Sequence, residues 1–160
     1  MPNIQERLDF SRELVVAGRH WRTRLDERLK PFGMSHARWT ALYWLSEAKV
    51  GVSQTDLAEL AGIESPALVR TIDLLEKEGL VKRCPSPTDR RVNLLHLTDA
   101  ARATVANIEP LADALRREVL NGIPAEDVRK AMQVLKQVRL RLDSAGHAPS
   151  PKAAALTAGV

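Results

Sequence analysis

Gln54-Thr55-Asp56-Leu57-Ala58-Glu59-Leu60-Ala61-Gly62-Ile63, continued by Glu64-Ser65-Pro66-Ala67-Leu68-Val69-Arg70-Thr71-Ile72-Asp73-Leu74-Leu75-Glu76-Lys77-Glu78-Gly79, is the stretch that decides the fold. Ser53 with Asp56 three residues on forms a capping-box-like helix start. Ala58 is small where two helices cross closely. Gly62 permits a turn at positive φ, which other residues resist. Leu57, Ala61 and Ile63 are apolar at the joint. Ser65 followed by Pro66 reads as the N-cap and first position of the next helix, and Gly79 as its left-handed cap. Two short helices broken at Gly62 make a helix-turn-helix.

The second of these helices has two unlike faces. At 100° per residue, Leu68, Ile72 and Leu75 share one stripe. Arg70 and Lys77 fall nearly opposite, flanked by Pro66, Ala67 and Asp73. A cationic stripe opposite a buried one suits a helix lying in the DNA major groove, where an arginine can fork onto guanine O6 and N7. Asp73 would repel phosphate there unless an arginine pairs with it, and Leu74 faces away from the core without an obvious purpose.

Downstream, Leu80–Cys84 and Val92–Leu97 are β-prone. The prolines, Ser, Thr and Asp of Pro85-Ser86-Pro87-Thr88-Asp89-Arg90-Arg91 mark a loop between them, so the pair reads as a β-hairpin. Lys82, Arg83, Arg90 and Arg91 place positive charge around that loop. A thin arginine-tipped arm fits a narrow minor groove, where A·T-rich DNA focuses negative potential. Asp89 makes sense on such a tip as a clamp for a nearby arginine.

Outward from this centre the chain is helical. Ile4, Leu8, Leu14, Ala17, Trp21, Leu25 and Leu29 recur at roughly helical period from Asn3 to Lys30, and Pro31 ends the run. A second helix should start after Ser35 and run to about Ala48, with Trp39, Leu42 and Leu45 on one side. Thr98-Asp99 caps a long helix ending near Asn121-Gly122. Pro124 opens a last one, with Ala131, Leu135, Val138 and Leu142 at heptad-like spacing. The expected organisation is an N-terminal dimerisation helix in 1–34, a winged helix-turn-helix in 35–98, C-terminal dimerisation helices in 99–143 and a flexible tail in 144–160. The fold class is mainly α with a β-hairpin wing.

The 160 residues carry a formal net charge of +4, which tolerates a nucleic-acid partner without demanding one. The absence of a long apolar run and of a signal-peptide pattern points to a cytoplasmic chain with no membrane partner. Cys84 is the sole cysteine and reads as packing. His20, His36, His96 and His147 lack metal-ligand spacing. No catalytic grouping or phosphate loop is visible, so neither enzyme activity nor a cofactor is expected. Trp21, Trp39, Trp44 and Tyr43 cluster in the first two helices, and most should be core. Near His20, His36, Arg19 and Arg38, they could also line a pocket for an aromatic anion.

The run Ile63 to Asp73, with Leu75-Glu76 and Glu78-Gly79-Leu80-Val81, resembles the MarR family, its SlyA branch most closely. Asp89-Arg90-Arg91 is similar to that family's Asp-x-Arg wing signature, and Leu97-Thr98 leads into the next helix as it does there. The resemblance extends to Arg19-His20-Trp21-Arg22, Leu29-Lys30-Pro31 and Asn121-Gly122-Ile123. It implies a homodimer formed through the first and last two helices, binding double-stranded DNA at a pseudo-palindromic operator. It also implies that Arg70 reads the major groove, that Arg91 enters the minor groove, and that a small aromatic acid releases the DNA. The expected DNA contacts are Ser65, Pro66, Ala67, Arg70, Thr71, Lys77, Asp89, Arg90 and Arg91. The expected ligand contacts are Arg19, His20, Trp21, His36, Arg38 and Trp39. Two rival readings are a protein that coats DNA without regard to sequence and a winged module that binds protein.

Overall fold

A computed structural model describes residues 1–48 and 50–146, the last four of them in their backbone. The part of the expected tail from 147 to 160, His147 included, lies outside the described residues. The chain divides into two compact units, Met1–His36 and one that begins at Ala37.

In the first unit, helix α1 spans Ile4–Leu29. Asn3 and Glu6 close a reciprocal capping box at its start: the Glu6 amide donates to Asn3 Oδ1 at 2.9 Å, and the Asn3 amide donates to Glu6 Oε2 at 2.7 Å. Pro31 stops the helix through a short 3-10 turn, Lys30–Phe32, that ends at Gly33 with φ +65. Leu25 and Leu29 are buried, whereas Ile4, Leu8, Phe10, Leu14 and Val15 are exposed. The carboxylate of Asp26 accepts the backbone N–H of His36, satisfying one of the donors that a helix start leaves open.

Helix α2 covers His36–Glu47. Its residues Ala41, Leu42 and Leu45 share the core of the second unit with Leu57, Leu68, Ile72, Leu75, Val81, Leu95, Leu97, Ile108 and Leu115. Burying each large aliphatic side chain contributes about 1.5–3 kcal/mol, so this cluster is what holds the short elements together. Trp39 is a core residue, tilted against Tyr43 with ring centroids 5.9 Å apart.

Helices α3, Gln54–Ala61, and α4, Ser65–Lys77, form the expected pair. The turn between them is a Schellman motif: Gly62 has φ +60, its N–H donates to the Glu59 carbonyl, and that of Ile63 donates to Ala58. The same motif ends α4 at Gly79, φ +73, with Gly79 donating to Glu76 and Leu80 to Leu75. The start of α4 differs from the sequence reading. Its N-cap is Glu64, whose carbonyl accepts from the Ala67 and Leu68 amides, and Ser65 and Pro66 are the first two helical residues. Proline fits either early position, since neither needs its N–H.

The hairpin strands are β2, Val81–Pro85, and β3, Asn93–Leu97, paired Val81↔Leu97 through Pro85↔Asn93. The sheet has a third strand that the sequence did not reveal. Val52–Ser53, the first strand in the chain and here β1, pairs antiparallel with β3 and gives the order β1-β3-β2. Two residues carry no readable period, so only pairing makes them a strand.

Helix α5, Asp99–Leu120, is capped by Thr98, whose hydroxyl accepts the Ala101 amide and donates to the Gly79 carbonyl at 2.7 Å. One side chain thus joins the start of α5 to the end of α4. Pro110 sits inside α5 and removes one backbone donor there. Helix α6 covers Ala125–Gly146. Residues 144–146, expected as the start of the tail, are helical. Of its heptad-spaced residues, Ala131, Leu135 and Leu142 are exposed and Val138 is half-buried. No described helix is long and apolar enough to cross a membrane.

Candidate nucleic-acid interface

Burying Leu68, Ile72 and Leu75 turns the opposite side of α4 outward, and Arg70 and Lys77 are exposed on it. Among the described residues, neither side chain has a hydrogen bond or ion pair. Ser65 and Pro66 are exposed at the front of the helix, Ala67 is half-buried, and the Thr71 hydroxyl donates to the Ala67 carbonyl at 3.0 Å. The six expected α4 contacts thus share one helix, with the two long cations reaching furthest from it. Leu74 is exposed, as its wheel position required.

The acidic residues of this helix do not remain free. Arg83 on β2 bonds Asp73 Oδ1 at 2.6 Å and also pairs with Glu76. Strand alternation explains how it gets there. Arg83 lies across from Leu95 and Val81 across from Leu97, on the sheet face turned to the core, while Lys82 and Cys84 take the other face. Burial works against the guanidinium's charge, but the hydrogen bonds it donates to Asp73 and Glu76, with their negative charges, outweigh it and raise its pKa. The expected wing cluster of four cations is corrected here. Arg83 is turned back onto α4, leaving Lys82, Arg90 and Arg91 as exposed cations.

The wing tip is a built turn. Ser86 is buried, and its hydroxyl lies 3.0 Å from that of Thr88 and accepts the Thr88 and Asp89 amides at 3.3 and 3.4 Å. The Ser86 amide donates to the Val92 carbonyl, and the Val92 amide to that of Asp89. Asp89 does act as a clamp, but on the backbone: its Oδ1 accepts the Arg91 amide at 3.0 Å. That arrangement directs the chain carrying Arg90 and Arg91 and leaves both guanidinium groups without a partner among the described residues. The clamp expected at Asp89 thus holds a nearby arginine by its amide, and the Ser-Pro-Thr-Asp order, rich in side chains that bond nearby amides, carries the signal.

These features, a helix-turn-helix with a free cationic face followed by an ordered cationic wing, are matched in known proteins. The sequence model of the MarR family matches residues 32–92. A solved transcriptional regulator, PA3341, is 37% identical over 84% of this chain and 98% of its own, with a TM-score of 0.78. The chain belongs to the MarR family. It is accordingly a DNA-binding transcriptional regulator on a winged-helix fold, in a family of regulators rather than enzymes. AbsC, a MarR family regulator from Streptomyces coelicolor, is 25% identical over 90% of this chain and 98% of its own, with a TM-score of 0.77. CouR from Rhodococcus jostii RHA1, solved bound to p-coumaroyl-CoA, is 27% identical over 81% of this chain and 91% of its own, with a TM-score of 0.75.

The residues expected to contact a ligand in this MarR regulator are divided between the two units. In the first, Arg19 and His20 are exposed and Trp21 and His36 are half-buried. In the second, Trp39 is core and Arg38 pairs with Glu78. Burial lowers the pKa of His36, against the raising effect of Asp26, and Arg22 lowers it further. Among the described residues, no group of three or more His, Cys, Asp or Glu could hold a metal ion.

Proposed function

We propose that two copies of this MarR regulator form a homodimer on a pseudo-palindromic operator. Arg70 reads a base edge in the major groove, Arg91 enters the flanking minor groove with Arg90 beside it, and Lys77 touches phosphate. Ser65, Pro66, Ala67 and Thr71 line the approach, and Asp89 holds the wing tip. The observation that carries this reading is the divided charge of α4: its carboxylates are engaged by Arg83 while Arg70 and Lys77 stay uncommitted. A helix face so arranged attracts phosphate and leaves an arginine for base recognition.

Dimerisation is supported by the apolar residues that the chain leaves uncovered. Ile4, Leu8, Phe10, Leu14 and Val15 on α1 and Met132, Leu135, Leu140 and Leu142 on α6 are all exposed. Repeated apolar exposure along two long helices marks interfaces. A two-fold dimer then matches two half-sites about one helical turn, ~34 Å, apart. Release by a small aromatic carboxylate is the last part of the proposal. It is supported by the exposed Arg19 and His20 beside the half-buried Trp21 in the first unit and by CouR, a relative solved bound to p-coumaroyl-CoA.

The test uses Arg70→Ala, Arg91→Ala and Lys77→Ala on a pool-selected operator, the same operator with G·C flanks, and random DNA, across a salt series. Arg70→Ala is expected to cost about 1–3 kcal/mol per subunit on the operator and to relax one base position. Arg91→Ala loses most where the flanks are A·T-rich. Lys77→Ala weakens all three DNAs alike and lowers the salt slope by about one per contact. Equal losses for all three variants on all three DNAs would overturn direct readout and favour a protein that coats DNA. Failure to bind any DNA at low salt would leave a protein-binding module.

A further inference from the structure

Leu74 stands among the cations of α4 with 43% of its surface exposed. It comes four residues after Arg70 and three before Lys77, the two spacings at which side chains on a helix are neighbours. At 100° per residue it lies about 40° around the helix from Arg70 and about 60° from Lys77. The half-buried Ala67, two turns earlier, lies within about 20° of it. The buried stripe of Leu68, Ile72 and Leu75 is on the other side, so Leu74 cannot join the core without turning Arg70 inward with it.

An exposed leucine on a solvated helix face is ordinary. On a face that DNA covers, it has consequences. The floor of the major groove presents hydrogen-bond donors and acceptors and one apolar group, the thymine C5-methyl. A leucine pressed against a donor or acceptor displaces its water and returns no hydrogen bond, which costs free energy. Against the methyl, the same leucine removes apolar surface from water on both partners. The carboxylates of α4 do not compete for that place. Asp73 and Glu76 are held by Arg83 on the opposite flank of the cationic stripe, and Glu78 pairs with Arg38.

We propose that Leu74 is a specificity-determining residue: it packs on the C5-methyl of a thymine in each half-site, beside the base edge that Arg70 reads. This rests on the operator reading of α4 above. Four residues of helix rise ~6 Å, and successive nucleotides of one strand are ~3.4 Å apart along the duplex. The thymine therefore lies about two base pairs from the Arg70 contact. Arg70 supplies hydrogen bonds and Leu74 an apolar contact, so the pair selects a short sequence where two cations would select only charge. The Leu74 contact releases no counterion and is insensitive to salt, unlike that of Lys77.

Uracil in place of thymine removes the C5-methyl and keeps the hydrogen-bonding edge, which makes it the probe for this contact. Each thymine of the selected operator is replaced in turn, symmetrically in both half-sites. Binding by the full-length parent, Leu74→Ala and Leu74→Met is then followed by fluorescence anisotropy at low and high salt. At one thymine the parent is expected to lose about fourfold per half-site, the scale of one buried methyl group, by the same factor at both salt concentrations. Leu74→Met is expected to keep that loss, and Leu74→Ala to bind the thymine and uracil operators alike. An operator without thymine in its half-sites, a parent indifferent to uracil at every thymine, or an equal uracil loss in Leu74→Ala would overturn the role of Leu74 and leave the operator reading standing. A parent that binds the operator no better than random DNA would overturn that reading and this inference with it.

Discussion

Replacing Arg83 with Gln tests how the regulator reconciles acidic residues with a DNA-facing helix. Arg83 bonds Asp73 at 2.6 Å and pairs with Glu76, and these two carboxylates are 58% and 40% exposed. Both pairs are therefore well solvated, and their loss is expected to change folding stability by no more than about 1 kcal/mol each. The larger consequence falls on DNA binding, because two carboxylates on α4 lose their counter-charge. A carboxylate and a phosphate ~8 Å apart in water repel by about 0.5 kcal/mol. Because Arg83 carries one charge, its loss leaves one more unit of negative charge in each of two subunits, about 1 kcal/mol or roughly fivefold in affinity at low salt. At physiological ionic strength, where the screening length is ~8 Å, the loss should shrink to about twofold. Fluorescence anisotropy on the selected operator across a salt series measures both limits. The double variant Asp73→Asn, Glu76→Gln removes two negative charges per subunit and should bind DNA more tightly than the parent at low salt. A loss well beyond fivefold at low salt would show that Arg83 touches DNA itself, and no loss would show that this face of α4 does not meet DNA.

Further measurements probe other parts of the molecule. Gly62→Ala places a side chain at φ +60 and should destabilise the fold by about 1–2 kcal/mol in denaturant unfolding; an unchanged midpoint would contradict the role given to the turn. Leu68→Ala, at a fully buried position, should cost about 2–5 kcal/mol. Because folding lowers the pKa of His36 from the ordinary 6.5, chiefly through burial, the unfolded state binds more protons in that window. Stability should thus fall as pH drops from above 6.5 through the lowered value, and His36→Gln should flatten that part of the melting profile. Removing residues 125–160 deletes α6 and should abolish the dimer in sedimentation experiments, whereas a well-folded dimer from that truncation would refute the assignment of the exposed α6 face.

Local sequence determined the elements that depend on local chemistry. The glycines at 62 and 79, the apolar stripe of Leu68, Ile72 and Leu75, the proline-rich loop and the Thr98 cap are each decided by neighbouring backbone sterics or by a helical period. They sufficed to read a helix-turn-helix, a wing and a cationic face. What depends on pairing between distant segments was not legible. Val52–Ser53 is a strand only because β3 lies beside it. Arg83 belongs to α4 electrostatically only because strand alternation turns it to the inner face of the sheet. His96 and Arg102 line one cleft, and Gly51 makes room for the imidazole, though nothing in their spacing joins them. A local motif records the conformational limits of its own residues; which charge meets which carboxylate, and which side chains enclose a cavity, is set by long-range packing once the chain has folded.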